Sequence, residues 1–252
     1  MDRKQLLDAW KKEESVAHIK GWDFSHIDGR YSEETDFPFD YRAEIQRYLK
    51  SDMKLLDIDT GGGEFLLSLS HPYENTAATE GYPPNAELCR QTLLPLGIDF
   101  KEANAKKLPF ADESFDIVIN RHGDLCAKEI QRVLKKGGLF ITQQVGADND
   151  RELVKLLLGD MPLPFPNQYL DIVKKDFKEN GFEIISSGEC YKSIRFFDVG
   201  ALVWFARIIE WEFVGFSVDA CGDALAKAHE ICVKNGFVEG KTHRFFLVAK
   251  KK

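Results

Sequence analysis

The chain has 252 residues, 44% of them hydrophobic, enough for one sizeable core with an elaboration and too few for two equal large domains. A formal net charge of −7 argues against broad polyanion binding, so nucleic acid is an unfavoured partner. The opening residues, Met1-Asp2-Arg3-Lys4-Gln5-Leu6-Leu7-Asp8, are charged, and no stretch approaches ~18 uninterrupted apolar residues, so neither a leader nor a membrane span is expected and the reading is a cytoplasmic protein.

Along the chain, apolar strand-like runs alternate with helical patterns from Met53 onward, the order that builds a parallel sheet with crossover helices. Residues 53–58 predict the first strand, 62–70 a helix, and 75–80 a second strand that ends on an acid. Pro83-Pro84 opens the next helix, because proline at a first helical position loses no hydrogen bond. It should run to about Leu94, where Pro95 and Gly97 stop it. Residues 98–103 predict a third strand and 115–120 a fourth, of the fully buried kind.

Asp124 is expected to cap a helix running through Val133 and Leu134, with Lys135-Lys136-Gly137-Gly138 ending it. A fifth strand should cover 139–145, a helix 169–178, a sixth strand begin at 182–186, and a seventh cover 244–249. About fifty residues separate the last two strands, far more than a hairpin needs, so this insertion is expected to be helical, with one helix over 223–234.

The richest stretch for chemistry is Leu55-Leu56-Asp57-Ile58-Asp59-Thr60-Gly61-Gly62-Gly63-Glu64-Phe65, a buried strand running into a glycine turn and then a helix. Three glycines remove every Cβ from the turn, so bare N–H groups can approach a bound molecule. An ordinary strand-to-helix connection is the alternative, and context has to decide. In an open parallel sheet, ligands lie outside the carboxyl ends of the strands. Those ends hold residues 59–63, 80–82, 104–105 and 120–123. Glu80 follows Gly61 by about the ~20 residues expected between a glycine turn and an acid that binds a ribose. A dinucleotide fingerprint G-x-G-x-x-G starting at position 59 would need glycine at 59, 61 and 64, where the chain has Asp59, Gly61 and Glu64. Carboxylates there repel a pyrophosphate and tolerate a cationic ligand, which favours S-adenosylmethionine over NAD or FAD.

With those residues in place, the chain from about 50 to 145 resembles the class I S-adenosylmethionine-dependent methyltransferases. The resemblance implies an α/β fold: a Rossmann-like, doubly wound, mostly parallel seven-stranded sheet with helices on both faces and a helical cap. It implies S-adenosylmethionine as cofactor, with Asp57 organising its methionine end and Gly61, Gly62 and Gly63 passing beside it. Glu80 matches the acid on the ribose hydroxyls, with Gly81 and Tyr82 beside the adenosine. In Glu102-Ala103-Asn104-Ala105-Lys106-Lys107-Leu108-Pro109-Phe110, Asn104 is assigned to the adenine amino group, with the Ala105 N–H facing the base. Asp59 stands where the family normally has glycine, so the turn needs a different backbone solution or tolerates a side chain near the ligand.

Phe115-Asp116-Ile117-Val118-Ile119-Asn120 is similar to the family's fourth-strand motif. The residues after it, Asn120-Arg121-His122-Gly123-Asp124, face the substrate, with Asn120 and Arg121 assigned to the cofactor. His122 is the candidate proton acceptor because its ordinary pKa lies near working pH; a merely solvated or structural histidine is the alternative. No N-P-P-Y or D-P-P-Y run is present, which argues against methylation of adenine amino groups in nucleic acid.

The five cysteines show no C-x-x-C spacing and the six histidines no H-E-x-x-H, so neither a disulfide framework nor a metal site is expected. Outside the core, Trp22-Asp23-Phe24-Ser25-His26 and Phe37-Pro38-Phe39-Asp40-Tyr41 interleave aromatics with acids that can cover a cofactor and line a pocket. Tyr41 either touches the cofactor or staples its helix onto the sheet. Met161-Pro162-Leu163-Pro164-Phe165-Pro166 reads as a stiff loop over the active-site side. The aromatic run from Phe196 to Phe213 is a lid, a homodimer face or simple packing.

The expected organisation is a helical and aromatic cap segment over 1–48, a methyltransferase core over 49–190 and 241–252, and a helical insertion over 191–240. The leading function is methyl transfer to a small-molecule acceptor. The alternatives are methylation of an RNA base and a non-catalytic S-adenosylmethionine-binding protein.

Overall fold

The computed structural model describes residues 2–18 and 23–252; Met1 and Trp22, cited above, lie outside the described residues. In chain order the elements are α1 (Arg3–Ser15), β1 (Tyr31–Glu33), α2 (Tyr41–Tyr48), β2 (Leu55–Ile58), α3 (Glu64–Ser68), β3 (Thr76–Glu80), α4 (Pro83–Thr92), β4 (Asp99–Glu102), β5 (Phe115–Arg121), α5 (Ala127–Val133), β6 (Leu134–Val145), α6 (Arg151–Leu158), α7 (Leu170–Glu179), β7 (Phe182–Phe196), α8 (Val199–Ile208), α9 (Gly222–Asn235) and β8 (Val238–Lys251). The chain divides into two compact units. One comprises 1–37, 147–166 and 191–243, the other 38–146, 167–190 and 244–252.

The second unit carries the parallel sheet. Strand order is β7-β8-β6-β5-β2-β3-β4, and β1 joins the sheet beyond β7. Neighbours from β4 through β6 run parallel, and β8 runs antiparallel to β6. Side chains alternate across a strand, and here that parity sorts the core into two layers. Leu56, Ile58, Val118, Phe140 and Leu247 face α5 and α7, meeting Ile130, Val133, Val173 and Phe177. Leu55, Ile117, Ile119, Ile141 and Val248 face the opposite layer, meeting Ile45 of α2, Leu66 of α3, and Ala86 and Cys89 of α4. Helices therefore cover both faces of a mostly parallel sheet, as expected.

The sheet has eight strands among the described residues, not the expected seven. The addition is β1, whose Tyr31 to Glu33 pair antiparallel with Phe196 to Ile194 at the far end of β7. A three-residue strand carries no period for a sequence to display. The last two strands are also longer than expected, at 15 and 14 residues, so the 191–240 segment is strand at both ends and helical only between. Polar residues at 186–193 hide that strand. The helix expected to start on Asp124 begins at Ala127, its N-cap is Cys126, and no side chain caps it. Residues 135–138, expected as the end of that helix, lie inside β6, with Gly137 at φ +78°.

The first unit has its own apolar core, built from Trp10, Ile27, Leu153, Ile194, Phe196, Val238 and the length of α8. Nine of the ten residues of α8 are buried, as are Ile209 and Phe213, so packing accounts for most of the aromatic run. Phe197, Trp211 and Val214 stay exposed. No helix among the described residues is long and apolar enough to cross a membrane. The five cysteines are free thiols, and no cluster of histidine, cysteine and carboxylate side chains fit for a metal occurs among the described residues.

Candidate functional site

The carboxyl ends of β2, β3 and β5 lie side by side, because β2 pairs with both neighbours: Asp57 is level with Ala78 on one side and Ile119 on the other. The register therefore brings Asp57, Asp59, Glu80 and Asn120 to one end of the sheet, beside the glycine turn.

Glu80, 5% exposed, organises the turn. Its Oε2 accepts the Gly61 N–H at 2.8 Å and its Oε1 the Tyr82 N–H at 2.7 Å. Each oxygen keeps a lone pair for a further donor. Gly61 takes φ +66°, and a Cβ there would meet nothing within 4 Å, so open space adjoins the turn at this point. Gly63 caps α3 at φ +86°, and a Cβ there would press on Leu93 Cδ2 at 2.8 Å; this position needs glycine twice over. Beneath the turn, the thiol of buried Cys89 donates to the Gly61 carbonyl at 3.1 Å. Burial, then Glu80, Glu64 and Asp57, push that thiol up to about 12.

Asp57 is buried and accepts from the Thr60 hydroxyl at 2.7 Å. Burial raises its pKa to about 7 against the Thr60 hydrogen bond; Asp59 and Glu80 add to the rise and Arg121 opposes it. Asp59 adopts the left-handed conformation at φ +55°, which answers how the turn does without the family's glycine. Aspartate is among the few side chains that tolerate this region, at a penalty of ~1 kcal/mol. Burial, followed by Glu80, raises Asp59 to about 6. An end of the sheet holding this much destabilised negative charge suits a cationic ligand and repels a phosphate.

Gly81 and Tyr82 follow Glu80 on the exposed rim, Tyr82 being 61% exposed. A Cβ at Gly81 would come within 3.3 Å of the Ala103 carbonyl, so the ends of β3 and β4 lie close there. Asn104 is exposed and its Oδ1 accepts the Lys106 N–H at 3.0 Å, forming a local turn over buried Ala105. Asn120 is fully buried: its amide donates to the Ile58 carbonyl at 2.9 Å and accepts from Gln144 at 2.6 Å. Tyr41 is the first residue of α2, buried, stacked on Phe65 and donating to the Asn120 carbonyl at 3.1 Å. Both residues are thus engaged with the sheet. Arg121 extends over the Phe65 ring, 5.4 Å from its centroid.

His122 also sits at positive φ, +60°, with its N–H on the Gln143 carbonyl at 3.0 Å. The Gln143 amide nitrogen lies 3.2 Å from His122 Nε2, a contact that suits a ring carrying its proton on Nδ1. Desolvation by the surrounding protein, then Arg244 and Arg121, hold its pKa far below the ordinary histidine value. The residue is exposed at the surface, so water screens part of that effect.

Sequence reasoning placed Thr60 and Gly123 at the strand ends without giving either a role, and missed Cys89, Gln143 and Gln144. Two consecutive glutamines at the end of an otherwise apolar strand were the available signal for Gln143 and Gln144, since buried amides there need partners. The contacts of Cys89 with Gly61 and of Gly123 with Asp59 join distant segments and left no local trace.

The sequence and the fold resemble those of known proteins. Residues 56–142 match a family described as a methyltransferase domain. A phthiotriol/phenolphthiotriol dimycocerosates methyltransferase of Mycobacterium tuberculosis is 32% identical over 110 residues, 41% of this chain and 40% of that protein. The sterol 4-C-methyltransferase strm-1 of Caenorhabditis elegans is 30% identical over 113 residues, 40% of this chain and 34% of that protein. The chain thus spans about two fifths or less of the length of these curated relatives. Among solved structures, the YcgJ protein of Bacillus subtilis superposes with a TM-score of 0.57 at 18% identity, over 84% of this chain and 97% of that one, a likeness of fold. Residues 56–142 are thus similar to a methyltransferase domain, and the chain's fold is like that of the YcgJ protein.

Proposed function

We propose that the chain binds S-adenosylmethionine at the turn after β2 and transfers its methyl group to a small-molecule acceptor. The observation that carries this reading is the set Asp57, Asp59 and Glu80 around an open glycine turn, with Asp57 and Asp59 held above their ordinary pKa by burial and by neighbouring carboxylates. The residues fit the cofactor: a ligand bearing an ammonium and a sulfonium relieves the repulsion that a phosphate would worsen. Asp57 and Asp59 would take the cationic methionine end, Glu80 the ribose hydroxyls, and the 103–105 segment the base. When bound, S-adenosylmethionine supplies an electrophilic methyl carbon.

The protein's own task is then orientation. Holding the acceptor near ~3–3.5 Å in line with the methyl contributes ~7–11 kcal/mol in well-aligned systems. Asn120, locked to β2 and to Gln144, fixes the backbone from which Arg121 and His122 project. In this reading His122 is the group nearest the acceptor. Its neutral ring with Nε2 engaged by Gln143 favours donation from Nδ1 to an acceptor heteroatom over abstraction of a proton. The names of the relatives, a sterol methyltransferase and a phthiotriol dimycocerosates methyltransferase, support a small molecule as acceptor. Free cysteines suit a reducing compartment, so the proposed setting is the cytoplasm.

Isothermal titration with S-adenosylmethionine and labelling of a cell extract with methyl-labelled cofactor test the proposal. Binding, with label in the small-molecule fraction, is expected. Label in RNA would transfer the assignment to a base methyltransferase, binding without label from any fraction would leave a non-catalytic binder, and absence of binding would end the reading.

A further inference from the structure

Asp59 does more than replace a glycine. Its Oδ2 accepts the backbone N–H of Asp124 at 3.1 Å, although 65 residues separate the two. Between them, Gly123 packs directly on the Asp59 side chain: a Cβ at 123 would stand 2.6 Å from Asp59 Oδ2, 2.7 Å from Asp59 Cβ and 2.6 Å from Asn120 Nδ2. Gly123 has no positive φ, so glycine is needed there for the close approach and not for the backbone. One residue earlier, the His122 N–H is held by the Gln143 carbonyl of β6. The segment carrying Arg121 and His122 is therefore fastened at two points, by β6 on one side and by the Asp59 carboxylate on the other. A glycine at 59 would satisfy φ +55° without strain, but it would offer no acceptor to Asp124 and no wall for Gly123.

We propose that Asp59 is a positioning residue that straps the acceptor-side loop 121–124 to the cofactor-side turn, so that filling one orders the other. The strap stands on contacts within the protein; its consequence for methyl transfer rests on the function proposed above.

The test is hydrogen exchange of the full-length protein without cofactor, read at residues 121–126, for wild type, Asp59→Gly and Asp59→Asn. Asp59→Gly is expected to exchange at least tenfold faster there, while the strands of the sheet core exchange at wild-type rates. Asp59→Asn keeps an acceptor oxygen and should stay within about twofold of wild type. The His122 ring in Asp59→Gly should titrate closer to an ordinary histidine as its loop loosens. Addition of S-adenosylmethionine should slow exchange at 121–126 in wild type and do so less in Asp59→Gly. Wild-type exchange in Asp59→Gly, or an Asn variant as loose as the Gly one, overturns the strap. Because the first comparison uses no cofactor, it can fail or succeed independently of the methyltransferase reading, which titration with S-adenosylmethionine decides separately.

Discussion

Glu80 Oε2 accepts the backbone N–H of Gly61 across 2.8 Å, so the acid read as a ribose ligand already holds the glycine turn in shape. A hydrogen bond to a charged acceptor contributes ~1.5–3 kcal/mol, and Glu80 makes a second one to Tyr82. Glu80→Ala should therefore lower stability by about 3–6 kcal/mol and weaken S-adenosylmethionine binding by at least ~30-fold. Denaturant melts and calorimetric titration measure both. Unchanged affinity in a folded variant would remove Glu80 from the cofactor site.

The raised acids predict a pH dependence with a definite sign. Asp57 has an ordinary pKa of 3.8 and about 7 in the folded protein, so between those values the folded state binds more protons than the unfolded one. Its contribution to stability is full below about pH 4 and is lost as pH rises through 7, with a ceiling of ~4 kcal/mol. Asp59, raised to about 6, acts in the same direction. Cofactor binding should run the opposite way and tighten from pH 5.5 to 8 as both acids ionise. Denaturant melts of wild type and Asp57→Asn at pH 5 and 7.5 check the first part. Equal pH slopes in the two proteins would contradict it.

Tyr41 separates two readings of one residue. If its hydroxyl serves the sheet, Tyr41→Phe loses the bond to the Asn120 carbonyl, lowers stability by about 1 kcal/mol and changes cofactor affinity less than about twofold. A loss of affinity beyond fivefold without loss of stability would restore the cofactor contact as the role of Tyr41.

His122 should be neutral throughout the working range. Its ring protons, followed by NMR, are expected to show a midpoint well below 6, and Gln143→Ala should raise that midpoint by removing the amide that occupies Nε2. Once an acceptor is known, the pH–rate profile should lack a histidine limb between pH 6 and 7.5. A limb there that disappears in His122→Ala would make the ring a proton acceptor after all.

Much of the parallel sheet was legible because buried strands leave continuous apolar runs: 55–58 and 115–121 could hardly be read otherwise. The helix from Pro83 was equally plain, since Pro and Gly mark its ends by backbone geometry alone. The three-residue β1, the outer halves of β7 and β8, and the start of β6 were not legible. Their polar residues are held in strand by neighbours far away in the chain, and local propensity says nothing of such partners.

By itself, then, the amino-acid order determined which residues stand at the strand ends: Asp57, Asp59, Gly61 to Gly63, Glu80 and Asn120 follow from local periodicity and turn chemistry. It also carries the reason for proposing a cationic ligand, because the acids Asp57, Asp59 and Glu80 are read directly from it. Only the tertiary structure decided what those groups do. Burial moved Asp57 and Asp59 towards neutrality, Gln143 came within 3.2 Å of His122 Nε2, and the Asp59 carboxylate came to accept the Asp124 N–H beside Gly123. Desolvation and hydrogen bonding depend on atoms brought together from distant parts of the chain, and that proximity exists only once the sheet has formed.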